Sequence, residues 1–226
     1  MILIALLAVS TAQAQPAGPA AGSVVRSKEW VIRRGENREE EFIGNVLYDS
    51  AGTHMSSDWA LFKHVTKEWQ ARGHVRVRRI LKTGDVLEVR GERATHSEKS
   101  KIGTLDPARG ERVSFVRTPP EGETDQGEGG RISWVEDDTV TLLQGAKVWG
   151  PRLQLEADEA LYEFPKKSLH LNGGRPVLQK VEGEWITALK ADQITAVESP
   201  RRIEATGKVK GWMIFKNEAK LKELAK

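Results

Sequence analysis

The feature that most constrains the fold of this chain is a set of fixed distances between acidic residues and glycines. Each of three aspartates precedes a glycine by 15 residues, and the pairs are Asp58 and Gly73, Asp158 and Gly173, and Asp192 and Gly207. The acidic positions also repeat, with 34 residues from Asp58 to Glu92 and again from Asp158 to Asp192. Glu92 and Asp158 are 66 residues apart, close to twice that period. Fixed spacing of this kind is typical of stacked repeats, in which each unit buries its apolar face against its neighbours.

Alternation of apolar and polar residues indicates that these units are β-strands. A period of two places one set of side chains on a buried face and the other set in water, as in an antiparallel sheet. Alternating segments occur at residues 71–78, 87–90, 153–157, 169–172 and 203–210. The sequence therefore predicts an all-β fold of stacked antiparallel strand pairs. Glycines would supply turns or bulges that a Cβ atom would obstruct.

Composition excludes several classes of protein. The 226 residues are 38% hydrophobic and 30% charged, and 35 Lys and Arg against 32 Asp and Glu give a net charge of +3. This balance argues against an integral membrane protein and against a dedicated nucleic-acid binder. The chain contains no cysteine. Disulfides, thiolate metal sites and thiol nucleophiles are therefore excluded.

The N-terminal residues are typical of an export signal. Residues 1–10 are uncharged and largely apolar, and Ala12-Gln13-Ala14 is a small-x-small cleavage pattern. Because the apolar run is shorter than the ~20 residues that span a bilayer, we expect residues 1–14 to be a cleaved signal peptide and the protein to be periplasmic. No Lys or Arg precedes the run, so an uncleaved inner-membrane anchor is the alternative.

The remaining residues are predicted to form one strand-rich domain with flexible ends. We expect a flexible leader at residues 15–28, the domain itself at 29–216, and a short helix or tail at 217–226. Within the domain, segment 117–130 is rich in Pro, Gly and acidic residues. Such a composition is typical of loops, which predicts a loop insertion there rather than a strand.

Short motifs recur in a fixed order along this domain. They are Gly44-Asn45-Val46, WQARGHV at 69–75, GDVLEVRGERA at 84–94 and LQLEADEALY at 153–162. This series resembles the OstA-like lipopolysaccharide-transport family, and the motif at 153–162 is the most typical. The resemblance extends from about residue 41 to about residue 215, and its specificity comes from the number and order of the copies.

The resemblance implies a twisted, partly open β-jellyroll, whose apolar groove holds lipopolysaccharide acyl chains in the periplasm of a Gram-negative bacterium. Members of this family join edge to edge into a bridge from the inner-membrane transporter to the outer-membrane translocon. The implied partners are therefore lipopolysaccharide, the transport proteins of both membranes through edge strands, and further copies of the chain in a head-to-tail oligomer. The soluble, LptA-like bridge protein fits the predicted signal peptide best, and the membrane-tethered, LptC-like member comes second.

Candidate groove residues are the aliphatic side chains expected to face inward. Such a groove can hold acyl chains through burial alone, at ~0.8 kcal/mol per buried CH₂, although the same residues can instead fill a dry core. The candidates are Val46, Val75, Val77, Leu87, Val89, Val148, Leu153, Leu155, Leu169, Leu171, Leu189, Ile203 and Val209. On the opposite face of one strand, Arg72, Arg76 and Arg78 are candidates to contact phosphate, or else form a solvated face.

The sequence indicates no catalytic, cofactor or metal site. Its five histidines are scattered, and it has neither a nucleophile-elbow motif nor a phosphate-binding glycine loop. We therefore expect a lipid carrier that is not an enzyme and does not bind nucleic acid. Two alternatives stay open: an exported structural adaptor that joins protein partners edge to edge without lipid, and a β-helical polysaccharide-cleaving enzyme.

Overall fold

The computed structural model describes residues 22–50, 52–81, 84–136, 138–198 and 201–215. Within these ranges the regular structure consists of twenty β-strands, and every strand pairing is antiparallel. The all-β class predicted from the alternating sequence is confirmed. The expected signal peptide at 1–14 and the expected helix or tail at 217–226 lie outside the described residues.

The strands differ in length between the two halves of the chain. The first eight are β1 (Val24–Arg26), β2 (Glu29–Arg33), β3 (Glu39–Ser50), β4 (Thr53–Lys63), β5 (Glu68–Ile80), β6 (Val86–Ser97), β7 (Ile102–Asp106) and β8 (Val113–Thr118). The rest are β9 (Asp125–Gly129), β10 (Arg131–Val135), β11 (Thr139–Leu143), β12 (Ala146–Trp149), β13 (Leu153–Ala157), β14 (Glu159–Glu163), β15 (Ser168–Asn172), β16 (Val177–Glu182), β17 (Trp185–Lys190), β18 (Gln193–Glu198), β19 (Arg201–Thr206) and β20 (Lys210–Phe215). Only β3 to β6 exceed ten residues.

One continuous hydrogen-bonded sheet folds on itself to form two walls. In the first wall the strand order is β2-β3-β4-β5-β6-β7-β10-β11-β14-β15-β18-β19. In the second wall it is β1-β3-β4-β5-β6-β8-β9-β12-β13-β16-β17-β20. The long strands β3 to β6 therefore run through both walls, whereas every later strand belongs to one wall. Among the described residues, β1 and β2 at one end and β19 and β20 at the other each pair on one side only.

The walls meet along a line of bends that we call the fold line. Gly73 stands at one bend with a φ of 77°, and a Cβ atom there would lie 2.4 Å from the Asp58 Oδ2 atom. The same packing of aspartate on glycine is found for Asp158 with Gly173 and for Asp192 with Gly207. The 15-residue spacing thus places each aspartate side chain against the glycine of the neighbouring bend. A larger residue at these glycines would meet both a strained backbone and an occupied space.

The apolar faces of the two walls pack on each other to form the core. Ile132 and Leu142 of the first wall and Val75 of the second wall are each 1% exposed and belong to one cluster. The rings of Tyr48, in the second-wall half of β3, and Trp69, in the first-wall half of β5, lie 6.2 Å apart. Side-chain packing therefore joins the walls away from the fold line.

The N-terminal boundary of the domain differs from the expected one. We predicted a flexible leader at residues 15–28, yet Val24–Arg26 forms β1 and pairs with residues 47–49 of β3. Three residues are too few to establish an alternation of period two, so this edge strand left no recognisable pattern.

The predicted loop insertion at 117–130 is also corrected. Strand β8 continues to Thr118, and β9 occupies Asp125–Gly129, so only residues 119–124 and Gly130 of this segment lie outside strands. A Cβ atom on Gly127 would lie 2.3 Å from the Phe115 Cε1 atom. The glycine thus admits a large neighbouring ring instead of breaking the strand, and the second wall continues through β9 without interruption.

Candidate functional site

The predicted groove residues lie between the two walls, where most of them are packed. Seven are buried in the core: Val46, Val75, Leu87, Val89, Val148, Leu155 and Leu171. Four more are partly buried against it: Val77, Leu153, Leu169 and Leu189. The last two, Ile203 and Val209, are 43% and 50% exposed. The structure therefore brings most of the candidates onto one interior surface.

Rows of inward-facing side chains cross each wall from strand to strand. Residues that pair across neighbouring antiparallel strands point to the same side of a sheet. In the second wall one such row is Val77, Val89, Phe115, Gly127, Val148, Leu155, Leu178 and Leu189. In the first wall a facing row is Ala71, Ala94, Leu105, Ile132, Leu142, Ala160, Leu171 and Ile194. The apolar interior consequently runs along the length of the stack.

The interior opens at the C-terminal end into a cleft of about 380 Å³. Leu178, Leu189 and Ile203 provide its apolar surface, and Lys180, Glu182, Thr187 and Arg202 provide polar groups. Apolar side chains beside cationic ones suit an amphiphile with an anionic group. Leu178 was not among the predicted groove residues, although its pairing with Leu155 continues an inward row.

Ile203 and Val209 are exposed for different reasons. Ile203 pairs with Ala196, which pairs with the partly buried Leu169 in a second inward-facing row, but β19 ends the first wall and no described strand covers it. Val209 lies outside any strand, because Gly207 and Lys208 adopt positive φ values of 68° and 44° and separate β19 from β20. The continuous strand predicted for 203–210 is therefore wrong.

The N-terminal end also exposes apolar side chains of the inward face. Trp30 on β2 is 59% exposed, and Ile32 on the same strand is 43% exposed. The Trp30 ring stacks on the buried Phe42 ring, with centroids 5.7 Å apart. Both ends of the stack therefore present parts of the apolar interior to solvent.

Each wall has a free margin opposite the fold line, where turns join its strands. A buried charged cluster lies at the margin of the second wall. The Arg117 Nε atom donates to Asp85 Oδ2 at 2.8 Å, and Arg117 Nη1 lies 4.0 Å from Asp125 Oδ2. Burial raises the pKa of Asp125, and the nearby Arg117 opposes this shift. The Arg117 guanidinium, shared by two carboxylates, thus links the end of β8 to the start of β9 and to the residue that precedes β6.

Aromatic and titratable side chains lie at the margin of the first wall. The His96 ring stacks on the Trp134 ring at 6.2 Å, and burial lowers the pKa of His96. The carboxylate of Glu136, which is almost fully buried, has one oxygen 3.2 Å from Lys101 Nζ. A second opening, of about 330 Å³, lies beside Trp69, His96 and Ile102.

The three arginines proposed as phosphate contacts lie on the outer face of β5. All three are exposed, whereas Ala71, Val75 and Val77 on the same strand face the interior. The Arg72 guanidinium carbon lies 4.1 Å from the centre of the Trp59 ring, and Arg76 Nε lies 3.6 Å from Glu88 Oε1. The three arginines therefore lie on the outer side, away from the apolar interior, with Arg72 before the Gly73 bend in the first wall and Arg76 and Arg78 after it in the second wall.

The described ranges contain neither a metal-ligand cluster nor a helix able to cross a membrane. No group of three or more His, Cys, Asp or Glu residues in the described parts of the chain is arranged to hold a metal ion. Over the same residues, no helix has the length and the apolar character needed to cross a membrane.

Comparisons with known proteins give matches among solved structures. No family model matches the chain, and no curated protein matches it. Among solved structures, the chain is similar to LptH of Pseudomonas aeruginosa, described as the LptA-homologous periplasmic component of the conserved lipopolysaccharide transport device. The two share 17% sequence identity, and the similarity covers 54% of this chain and 82% of that one, with a TM-score of 0.44.

Proposed function

We propose that this chain is a non-enzymatic periplasmic carrier of lipopolysaccharide and forms part of a bridge between the inner and outer membranes. The observation that carries the proposal is the apolar interior, which runs along the stack and opens into the C-terminal cleft beside Leu178, Leu189 and Ile203. The ordered motifs that resemble the OstA-like family support the same function. Candidate groove residues on both walls would then contact acyl chains.

Acyl chains would enter this interior by displacing contacts between the walls. The described strand pairings run within each wall, and side-chain packing joins the walls away from the fold line. Separating the margins therefore breaks apolar contacts but leaves the hydrogen-bonded ladders intact. Each CH₂ of a bound acyl chain that replaces such a contact contributes roughly 0.8 kcal/mol of burial free energy. This gain offsets the free energy lost when the apolar contacts between the walls are broken.

The proposed partners would bind at the ends of the stack. Each end presents strands with one unpaired edge beside exposed apolar side chains, such as Trp30 at one end and Met213 at the other. An unpaired edge accepts a further strand through backbone hydrogen bonds. The transport proteins of both membranes, or a second copy of this chain, would extend the two walls in this way.

A structural adaptor without lipid is the second candidate, and the tight packing of the middle of the stack favours it. Val75 and Leu171 are each 1% exposed, as in an ordinary dry core. In that case the edges would bind protein partners while the interior stays closed.

Photo-crosslinking distinguishes the two candidates. A photoreactive residue at Leu189, which lines the cleft, is expected to label lipopolysaccharide in protein isolated from a lipopolysaccharide-producing periplasm. The matched control is Gln179, which lies beside Leu178 on the opposite face of β16 and pairs with Ala188. Labelled lipid is detected by mass spectrometry. Equal labelling at both positions, or labelling of protein alone, would contradict a lipid-filled interior and favour the adaptor.

A further inference from the structure

Three turns at the margin of the first wall carry a lysine in the left-handed backbone conformation. The φ angles of Lys67, Lys101 and Lys167 are 60°, 61° and 48°. Their N–H groups close the turns: Lys67 and Lys101 each donate to the carbonyl oxygen four residues earlier, at 2.8 Å, and Lys167 donates to the carbonyl oxygen three residues earlier, at 3.2 Å. These turns join β4 to β5, β6 to β7, and β14 to β15. We call Lys67, Lys101 and Lys167 the margin lysines.

The margin lysines follow the periods found in the sequence. Lys67 and Lys101 are 34 residues apart, and Lys101 and Lys167 are 66 apart, the distances that also separate Asp58, Glu92 and Asp158. Glycine or asparagine is the usual residue at a positive φ, because a longer side chain with a Cβ atom is strained there. Lysine stands at the positive-φ position in three turns of the same margin, so each of these turns presents a cationic side chain there.

The order of the turns along the margin sets the distances between these charges. Neighbouring strands lie about 4.8 Å apart, so successive turns follow at about 10 Å. The turn between β10 and β11 separates Lys101 from Lys167, which places them about 20 Å apart. That intervening turn is acidic, and its Glu136 pairs with Lys101. Lys167 has no ion-pair partner among the described residues, and Lys67 Nζ lies 5.9 Å from the centre of the Phe62 ring.

The margin is where the polar part of a bound lipid would emerge. Beneath these turns lies an aromatic row that includes Phe62, Trp69 and Trp134, with the Phe62 and Trp69 rings 4.5 Å apart. Aromatic rings with a polar group suit a boundary between apolar and polar regions. The outer-face arginines lie behind a continuous hydrogen-bonded wall, so a headgroup whose chains occupy the interior cannot reach them.

We propose that the margin lysines bind the phosphate groups of a lipid headgroup while its acyl chains lie between the walls. This inference rests on the proposed lipid-carrying function. It assigns phosphate recognition to Lys67 and Lys167, with Lys101 between them, in place of Arg72, Arg76 and Arg78.

The test removes two charges from the margin without disturbing its turns. The variant Lys67→Gly/Lys167→Gly keeps a residue suited to a positive φ and leaves the pair of Lys101 and buried Glu136 intact. The matched control, Arg72→Gln/Arg78→Gln, removes two charges from the outer face. Affinity is measured for bisphosphorylated lipid A and for the same lipid after enzymatic removal of its phosphates. Inorganic pyrophosphate serves as a competitor in each case.

The margin variant is expected to bind bisphosphorylated lipid A about fivefold more weakly, the size expected for two exposed charge contacts. Its affinity for the dephosphorylated lipid should not change, and the control should bind both lipids like the unmodified protein. Equal losses of affinity in the two variants, or no loss in the margin variant, would overturn the assignment of phosphate binding to the margin lysines and leave the proposed lipid-carrying function standing. If the unmodified protein binds neither lipid, the proposed function fails as well. Displacement of lipid A by an equal concentration of pyrophosphate would instead identify free phosphate as the ligand and overturn the headgroup assignment.

Discussion

The effect of a glycine substitution on stability depends on the side chain beside the glycine as well as on its backbone conformation. Gly73 and Gly183 both have positive φ angles, 77° and 59°. A Cβ atom on Gly73 would meet Asp58, whereas one on Gly183 would meet nothing within 4 Å. The two positions therefore separate the cost of backbone strain from the cost of steric overlap.

We predict that Gly73→Ala destabilises the protein much more than Gly183→Ala. Strain at a positive φ costs about 1–2 kcal/mol at either position, and overlap with Asp58 adds about 1–3 kcal/mol at Gly73. Denaturant unfolding measures both variants. A second variant, Gly73→Ala/Asp58→Ala, should recover part of the difference because it removes the overlapping side chain. Equal free energies of unfolding for the two single variants would contradict the packing role of Asp58.

Single residues also show how far the sequence predicts the candidate site. Alternation identified Leu171 and Ile203 equally well as inward-facing, yet their exposed fractions are 1% and 43%. Leu171 lies on β15, which pairs with a strand on both sides, whereas Ile203 lies on β19, which pairs with β18 alone among the described strands. The alternation of residues along one strand does not show how many strands lie beside it. Leu178 was missed for a related reason: its segment, 177–182, contains only two clear alternations, and its place in the interior depends on its pairing with Leu155.

At the scale of elements, β9 shows that composition can conceal a strand. Its sequence, DQGEG, contains no large apolar residue, yet β9 pairs with β8 on one side and with β12 on the other. Strand propensity is poor for such residues, and here the tertiary context decides. The glycines of the 15-residue spacing, by contrast, were correctly predicted to lie at turns or bulges, and the aspartate–glycine contact explains why the chain length between the two residues is fixed.

We predict that native-state hydrogen exchange distinguishes β9 from the turn that precedes it. Hydrogen-bonded amides within 125–129 should exchange slowly, because the strand is paired on both sides, and those of residues 121–124 should exchange rapidly. Amide-resolved exchange followed by NMR gives the comparison within one molecule. Uniformly fast exchange from 117 to 130 would support the loop insertion expected from composition.

For the whole molecule, the end strands of the described stack, β1 and β2 at one end and β19 and β20 at the other, each keep one backbone edge unpaired. Met213 and Ile214 on the edge strand β20 are 64% and 50% exposed, beside backbone groups that no described strand pairs. Monomeric proteins commonly protect such edges with charged residues, and here apolar side chains stand in their place.

We predict concentration-dependent association of this protein through its end strands. The variant Met213→Lys/Ile214→Lys should shift the sedimentation coefficient towards that of the monomer, because charge opposes the pairing of edges. Val65→Lys provides the control, since Val65 is 56% exposed but lies in a turn of the margin and not on an end strand. Association unaffected by the edge variant, or abolished by the control, would place the interface elsewhere.

The restriction of the long strands to the first half of the chain gives the stack a mechanical polarity. From β3 to β6 each strand passes through both walls, so covalent backbone couples them along every strand. Beyond β6 the walls consist of separate strands that meet only through bends and side-chain packing. The resistance to separating the two walls therefore falls from the N-terminal to the C-terminal end. A force that pulls the walls apart would separate them first at the C-terminal end.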